Sequence, residues 1–163
     1  MFFHLTCEMS LDHIGISTAD YEQALLFYDE ILSALGYKKL MTIDGHDVVG
    51  YGKRFPSFWI QRSRTTDTPK VDRSGTHIAF VANSRQKVDE FYRTALKHGA
   101  KDNGPPGLRS QYHRFYYGAV VIDADGNNIE AVNHFDWRAF IGWKTILLTF
   151  SILFMLVGVY LKN

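Results

Sequence analysis

The chain has 163 residues, of which 46% are apolar, and this length and composition suit one compact domain with an ordinary core. Its 18 basic and 17 acidic residues give a net charge of +1, so nothing predicts the clustered basic face of a nucleic-acid-binding protein. Cys7 is the one cysteine, which excludes an internal disulfide and a zinc site made of several thiolates, and favours a reducing compartment.

The first eight residues contain neither a basic stretch nor a long apolar run, so they do not resemble a secretory signal. We interpret residues 1–8 as a leader and Met9 as a candidate for the native start, because the following residues already have the pattern of a strand. A short disordered leader is the alternative interpretation. The main domain is expected to span residues 9–135.

The first predicted module covers about residues 11–62. Residues 11–17 have the β-branched side chains typical of a strand. A helix is predicted next, because Asp20 is a suitable N-cap, apolar side chains then recur at intervals of three and four, and Gly36 suits the C-terminal cap. Short runs between turn residues predict a meander of three strands, at residues 38–43, 47–51 and 57–62.

The second predicted module, about residues 75–134, follows the same plan. Residues 76–82 predict a strand, Ser84 a helix N-cap and Gly99 the end of that helix. The Gly-Pro-Pro-Gly sequence at residues 104–107 is expected to break the chain. A hairpin is predicted after it, with strands at residues 116–123 and 128–133.

The two modules are related by a sequence repeat. Asp-His-Ile-Gly-Ile around His13 recurs as Thr-His-Ile-Ala-Phe around His77, and 77 minus 13 gives a spacing of 64 residues. A Phe-Tyr pair ending at Tyr28 recurs with the same spacing at Tyr92. A repeat kept in register over this distance predicts two copies of one βαβββ unit. Each copy has a histidine on its first strand.

Three sequences, LDHIGI, GTHIAF and DADGNNIEAV, occur in that order within about residues 10–134. In this they resemble the vicinal oxygen chelate superfamily, which comprises glyoxalases, extradiol dioxygenases, fosfomycin resistance enzymes and bleomycin resistance proteins. The resemblance implies an α+β fold in which paired βαβββ modules form a curved mixed sheet around a cleft.

The resemblance also implies a metal site. By position, His13 and His77 match the histidine ligands on the first strand of each module, and Glu130 matches the carboxylate ligand on the last strand. Two imidazoles and one carboxylate suit Fe, Mn, Zn or Ni, while some members of the superfamily lack metal. For each residue alone, an ordinary polar side chain is the alternative interpretation.

The fourth ligand position of metal-binding glyoxalases falls within residues 58–61, where this chain has no carboxylate. The resemblance implies that glyoxalase I chemistry uses a glutamate close to the metal to shuttle a proton. The missing carboxylate argues against that chemistry in this chain. Instead, Trp59 is expected to form a wall of the cleft. Gln61 is expected to bind substrate or to coordinate weakly through its amide oxygen.

A polar and aromatic cluster precedes the strand predicted at residues 116–123. We predict that Arg109 binds substrate, that His113 acts as a general acid or base, and that the hydroxyl of Tyr116 or Tyr117 binds a substrate oxygen. Packing of an aromatic edge against a loop is the alternative. The remaining histidines have no such positional support and are interpreted as surface or helix-end residues: His4, His46, His98 and His134.

The end of the chain departs from the superfamily pattern. Residues 145–161 contain no charge and lie between Lys144 and Lys162. As a helix with a rise of ~1.5 Å per residue, this segment would be about 25 Å long, a little shorter than a hydrocarbon core. We therefore predict that residues 137–163 form a helix that anchors a cytoplasmic domain to a membrane. An arm exchanged between subunits is the alternative.

Two classes of function follow from these features. The first is a divalent-metal-dependent enzyme, of lyase or dioxygenase type, that acts on a small oxygen-rich or aromatic substrate. The second is a metal-free protein of the bleomycin-resistance type that sequesters a small molecule. The expected partners are a small-molecule substrate and a membrane, and nucleic acid is not expected. A homodimer is an open alternative to a monomer.

Overall fold

The computed structural model describes residues 11–43, 45–64 and 76–134, which form two βαβββ modules. Module 1 consists of β1 (Ile14–Thr18), α1 (Tyr21–Ala34), β2 (Lys38–Ile43), β3 (Val48–Gly52) and β4 (Pro56–Arg62). Module 2 consists of β5 (His77–Val81), α2 (Arg85–Lys97), β6 (Lys101–Leu108), β7 (Tyr117–Ile122) and β8 (Asn128–Asn133). The predicted leader and the predicted anchor lie outside the described residues.

Each module contributes one four-stranded mixed sheet. The strand orders are β1-β4-β3-β2 and β5-β8-β7-β6, so the two modules have the same topology. In each sheet the first strand pairs in parallel with the last, and the other pairs are antiparallel. The predicted α+β class and paired βαβββ modules are confirmed. The described residues of one chain form two separate four-stranded sheets, and β1 and β5 each lie at an edge of their sheet.

Both helices begin and end where their capping residues predict. The side chain of Asp20 accepts the backbone N–H of Gln23, and that of Ser84 accepts the backbone N–H of Lys87. Gly36 and Gly99 follow the helix ends with φ of 78° and 93°, the left-handed region in which glycine has no steric penalty.

Strand β6 corrects the prediction that residues 104–107 break the chain. The Gly-Pro-Pro-Gly sequence lies inside β6, which pairs with β7 and forms the edge of its sheet. Pro105 and Pro106 are tolerated because both lie where the register shifts between Gly104 and Gly107 on an edge strand, so neither has a pairing partner in the ladder. The ladder is nevertheless irregular, with register shifts between Asp102 and Gly104 and between Gly104 and Gly107.

The two modules share one hydrophobic core on the helix side of both sheets. Helices α1 and α2 pack against each other and against the sheets of their own modules. The rings of Phe58 and Phe80, one from each module, meet edge to face with centroids 5.2 Å apart. Within the described residues neither helix packs on the opposite face of either sheet, which we call the open face.

A buried hydrogen-bond network also ties the modules together. The hydroxyl of Tyr28, on α1, donates to Asp123 Oδ2 at 2.8 Å. Asp123 lies at the end of β7 and also accepts the backbone N–H and the side-chain amide of Asn127, both at 2.7 Å. Burial, followed by the charge of Asp123, raises the pKa of Tyr28 well above its usual value.

Tyr28→Phe is expected to lower the free energy of unfolding by about 1–3 kcal/mol at pH 7, because a buried acceptor loses one of its donors. The raised folded-state pKa means that this tyrosine contributes its full stability below the unfolded value of about 10 and loses it as the pH rises further. The difference in free energy of unfolding between the wild type and Tyr28→Phe should therefore become smaller above pH ~10. Urea unfolding at pH 7 and in alkaline buffer measures both effects, and a constant difference would contradict the network.

Among residues 11–43, 45–64 and 76–134, neither helix combines the length and the apolar character needed to cross a membrane.

Candidate functional site

Polar side chains gather on the open face of the module 2 sheet. Successive side chains of a strand point to opposite faces, and here Ile78 and Ile129 enter the core while His77, Asn128 and Glu130 point the other way. The parallel pairing of β5 with β8 sets His77 beside Asn128 and places Glu130 two pairs further along, on the same face of the sheet.

His77 and Glu130 are in direct contact. The Nε2 atom of His77 lies 3.0 Å from Oε2 of Glu130. The other carboxylate oxygen, Oε1, accepts the hydroxyl of Tyr116 at 2.8 Å. The Glu130 side chain is only 8% exposed and that of His77 is 48% exposed. A buried carboxylate is thus held with one oxygen directed at a solvent-accessible imidazole.

Gly118 on β7 makes room for this carboxylate. A Cβ atom at Gly118 would lie 2.6 Å from Glu130 Oε1, a distance at which one of the two groups must move. Glycine is therefore required here for close approach, while its sequence neighbours face the core.

Tyr116 acts as a fixed donor to Glu130. Burial, reinforced by the hydrogen bond to Glu130 and its negative charge, raises the pKa of Tyr116 to about 12. The hydroxyl consequently keeps its proton at neutral pH. It can orient the carboxylate or donate to a substrate oxygen, but it is not a base under these conditions.

The His77 and Glu130 pair fits a divalent ion. Two ligands at right angles with bonds of about 2.1 Å are separated by about 3 Å, close to the distance between Nε2 and Oε2. One imidazole and one carboxylate suit Fe, Mn, Zn or Ni. In the described part of the chain, however, no three side chains of His, Cys, Asp and Glu gather as a ligand set. His13 therefore does not join His77 and Glu130 in such a group within the described chain.

His13 lies on module 1, just before β1. Its Nδ1 atom contacts Asp12, its ring lies edge-on to Trp59 with centroids 6.2 Å apart, and its side chain is 55% exposed. In the described chain His77 and Glu130 are in contact and His13 does not gather with them, while the assignment of the three as metal ligands stays a prediction.

Trp59 occupies the place in module 1 that Glu130 occupies in module 2. Gly15, two residues after His13, pairs with Trp59, and Ala79, two residues after His77, pairs with Glu130. The carboxylate of module 2 is thus replaced by an indole. Gln61 lies two residues further along β4 and donates to Ser17 Oγ at 2.9 Å. These side chains form the open face of the first sheet.

Two further predicted site residues have structural contacts. Tyr117 points to the helix side of β7, where its hydroxyl donates to Asp89 of α2 at 2.8 Å, so it lies apart from the His77–Glu130 cluster. Arg109 donates through Nη2 to the carbonyl oxygen of Pro105 at 2.7 Å. This contact braces the end of β6.

His113 joins the cluster together with His134, which sequence reasoning assigned to the surface. Nε2 of His113 lies 2.9 Å from Nδ1 of His134, and the planes of the two rings are inclined by 23°. The ring of Tyr116 packs edge-on against both imidazoles. The alternation of side chains along β8 could have predicted this position. His134 is an even number of residues from Asn128 and Glu130, so its side chain is expected on the same face of the sheet.

The protonation of this histidine pair follows from its hydrogen bonds. The backbone N–H of Phe115 donates to Nδ1 of His113 at 3.2 Å. In the neutral ring Nε2 then carries the proton and donates to Nδ1 of His134. His113 is consequently arranged as a hydrogen-bond donor beside Tyr116.

A cavity of about 150 Å³ lies elsewhere, between the start of α1 and the β7–β8 turn. Tyr28 and Asp123 line it and are already hydrogen-bonded to each other. We attribute this cavity to packing between the modules.

The sequence profile of the glyoxalase/bleomycin resistance protein/dioxygenase superfamily matches residues 10–131. The chain belongs to this superfamily. A comparison with curated proteins gives no significant match.

Several solved structures are similar to the chain. A glyoxalase/bleomycin resistance protein from Albidiferax ferrireducens has 26% identity and a TM-score of 0.67, with 76% of this chain and 98% of that chain covered. A putative glyoxalase from Bacillus halodurans has 23% identity and a TM-score of 0.60, with 77% and 96% covered. A fosfomycin resistance protein from Listeria monocytogenes, solved with Mn(II) and dihydroxypropylphosphonic acid, has 18% identity and a TM-score of 0.54, with 74% and 86% covered. At these identities the last two likenesses concern the fold.

Proposed function

We propose that the protein is a divalent-metal-dependent enzyme, of lyase or dioxygenase type, that acts on a small oxygen-rich or aromatic substrate. The observation that supports this most is the contact between His77 Nε2 and Glu130 Oε2 at 3.0 Å, with Tyr116 holding the second carboxylate oxygen. Membership of a superfamily that includes metalloenzymes is consistent with it.

The third ligand in this proposal is His13 of a second copy of the chain. The open face of module 1 carries one of the three proposed ligands and that of module 2 carries two, and β1 and β5 each have one edge without a partner strand in the described residues. Pairing the module 1 face of one copy with the module 2 face of another would unite His13 with His77 and Glu130. A symmetric dimer would contain two such sites.

In the assembled site, the ion would polarise vicinal oxygens of the substrate. The side chains of this chain have separate tasks. Tyr116 keeps Glu130 oriented, and the Nε2–H of His113 is available to donate to a substrate oxygen if it leaves His134. Trp59 and Gln61 of the second copy would line the opposite wall.

A metal-free binding protein is the second candidate. The indole of Trp59 at the position equivalent to Glu130 favours it, because an aromatic wall suits stacking of a planar ligand better than it suits metal coordination. The two candidates differ in whether the purified protein holds an ion.

Metal content distinguishes them directly. The full chain, purified without chelators and exposed in turn to Mn, Fe, Zn and Ni salts, is expected to retain one of these ions, whereas His77→Ala treated identically is not. Equal metal content in both proteins would remove the enzyme proposal and leave the binding protein.

The membrane anchor stays a prediction, since residues 145–161 lie outside the described part of the chain. We expect the full chain to fractionate with membranes and a version that ends at Asp136 to remain in the supernatant. Equal release of both without detergent would favour the alternative of an exchanged arm.

A further inference from the structure

Both ring nitrogens of His77 are held by side chains of β8. Nε2 faces Glu130, and Nδ1 lies 2.8 Å from the side-chain amide of Asn128, two residues earlier on the same strand. The parallel pairing of His77 with Asn128 brings these groups side by side. Orientation of this imidazole is thus set from two directions.

Asn128 is itself held by Asn103. The Nδ2 atom of Asn103 donates to Oδ1 of Asn128 at 3.0 Å. Asn103 is the residue left without a partner where the ladder passes from Asp102–Val121 to Gly104–Val120, and Gly104 has a φ of 153°. A bulge of this kind redirects a side chain. The irregularity of β6 therefore brings an amide to the site.

The two amides can take two consistent arrangements. In the structure, the NH₂ group of Asn128 faces Nδ1 of His77, so Nε2 carries the proton and donates to Glu130. If both amides rotate by half a turn, the carbonyl of Asn128 accepts a proton from Nδ1. Nε2 then has a free lone pair directed beside Glu130. Only the second arrangement allows Nε2 to bind an ion.

We propose that Asn128, supported by Asn103, is a positioning residue that selects which nitrogen of His77 is available to the ion. This inference rests on the proposed metal site. Replacement of a residue that hydrogen-bonds to a metal-ligating histidine typically lowers metal affinity by about 10–100-fold. Asn128 would couple ion binding to the rotation of two amides.

Two substitutions separate the roles of the amide. In Asn128→Asp both side-chain oxygens can only accept a hydrogen bond from Nδ1 of His77. The proton is therefore expected on Nδ1, and the affinity for the ion is expected to be retained or raised. Asn128→Leu removes both arrangements and is expected to lower affinity by about 10–100-fold. Gln86→Leu, an amide change at an exposed position of α2, is the matched control and should have no effect.

The readouts are metal affinity by competition with a chelator and the tautomer of His77 from ¹⁵N NMR of the metal-free full chain. We expect the proton on Nε2 in wild type and on Nδ1 in Asn128→Asp. If wild type binds an ion and both variants match it in affinity and tautomer, the positioning role is wrong and the metal site stands. If wild type binds no ion, the proposed function fails, and the tautomers still decide the role of Asn128.

Discussion

Glu130→Gln is expected to lower the affinity for divalent ions by at least about 100-fold. This exceeds the loss of affinity expected when a residue that only hydrogen-bonds to a metal ligand is replaced. The substitution keeps the size of the side chain and leaves an amide oxygen that can still accept the hydroxyl of Tyr116. It removes the negative charge that attracts the ion. The fold should consequently survive while the ion is lost, and calorimetric titration of the full chain with Mn or Zn measures the change.

Glu90→Gln provides the control for this experiment. Glu90 is a carboxylate on α2 that pairs with Lys87 at 2.6 Å and belongs to no cluster on the open face. Its substitution should leave affinity for the ion unchanged. Equal affinities of wild type, Glu130→Gln and Glu90→Gln would show that the ion binds elsewhere or not at all.

Phe91→Ala is expected to lower the free energy of unfolding by about 3–5 kcal/mol, because it removes a large ring and leaves a cavity that rigid neighbours cannot fill. Phe91 is fully buried, and its helix α2 packs against α1 and against β6, β7 and β8. Loss of this ring should weaken the attachment of the helix to its sheet. Denaturant unfolding followed by circular dichroism measures the change.

Phe55→Ala is the matched comparison, since the same ring is 77% exposed at this position. We expect it to change stability by no more than about 0.5 kcal/mol. If the two substitutions shift the unfolding midpoint by similar amounts, the core does not lie on the helix side of the sheets.

The helices could be predicted because their signals are local, and the repeat because it is a match within the sequence itself. Asp20 and Ser84 cap helix starts, and Gly36 and Gly99 allow the left-handed conformation that ends each helix. Alternation and spacing then place a histidine at the same point in both modules. The caps depend on neighbouring residues and the repeat on a match within the chain, so one sequence is sufficient.

Strand β6 could not be predicted in this way, because its Gly-Pro-Pro-Gly sequence has the local signal of a break. An edge position in the sheet makes that sequence acceptable, and the edge is decided by long-range pairing with β7. The contribution of Asn103 was missed for the same reason. Local signals do not show which strand will lie at an edge.

Some of the residues proposed for the site lie together in the structure, and their roles stay predictions. His77, Glu130 and Tyr116 gather as neighbours on one sheet face, and His113 lies beside them. Tyr117 has the opposite parity and binds Asp89. The repeat assigns His13 an equivalent place in module 1, but equivalence within a repeat does not determine whether two modules of one chain face each other.

Mixed dimers test the central claim most directly, namely that one ion is held by His77 and Glu130 of one copy and His13 of another. Full-length His13→Ala and His77→Ala chains, with two different tags that contain no histidine, are produced together, and the mixed dimer is isolated by both tags in sequence. Each variant alone should hold no ion, whereas the mixed dimer has one intact site and should hold about one ion per two chains. A mixed dimer without metal, beside a wild type that holds it, would contradict the shared site.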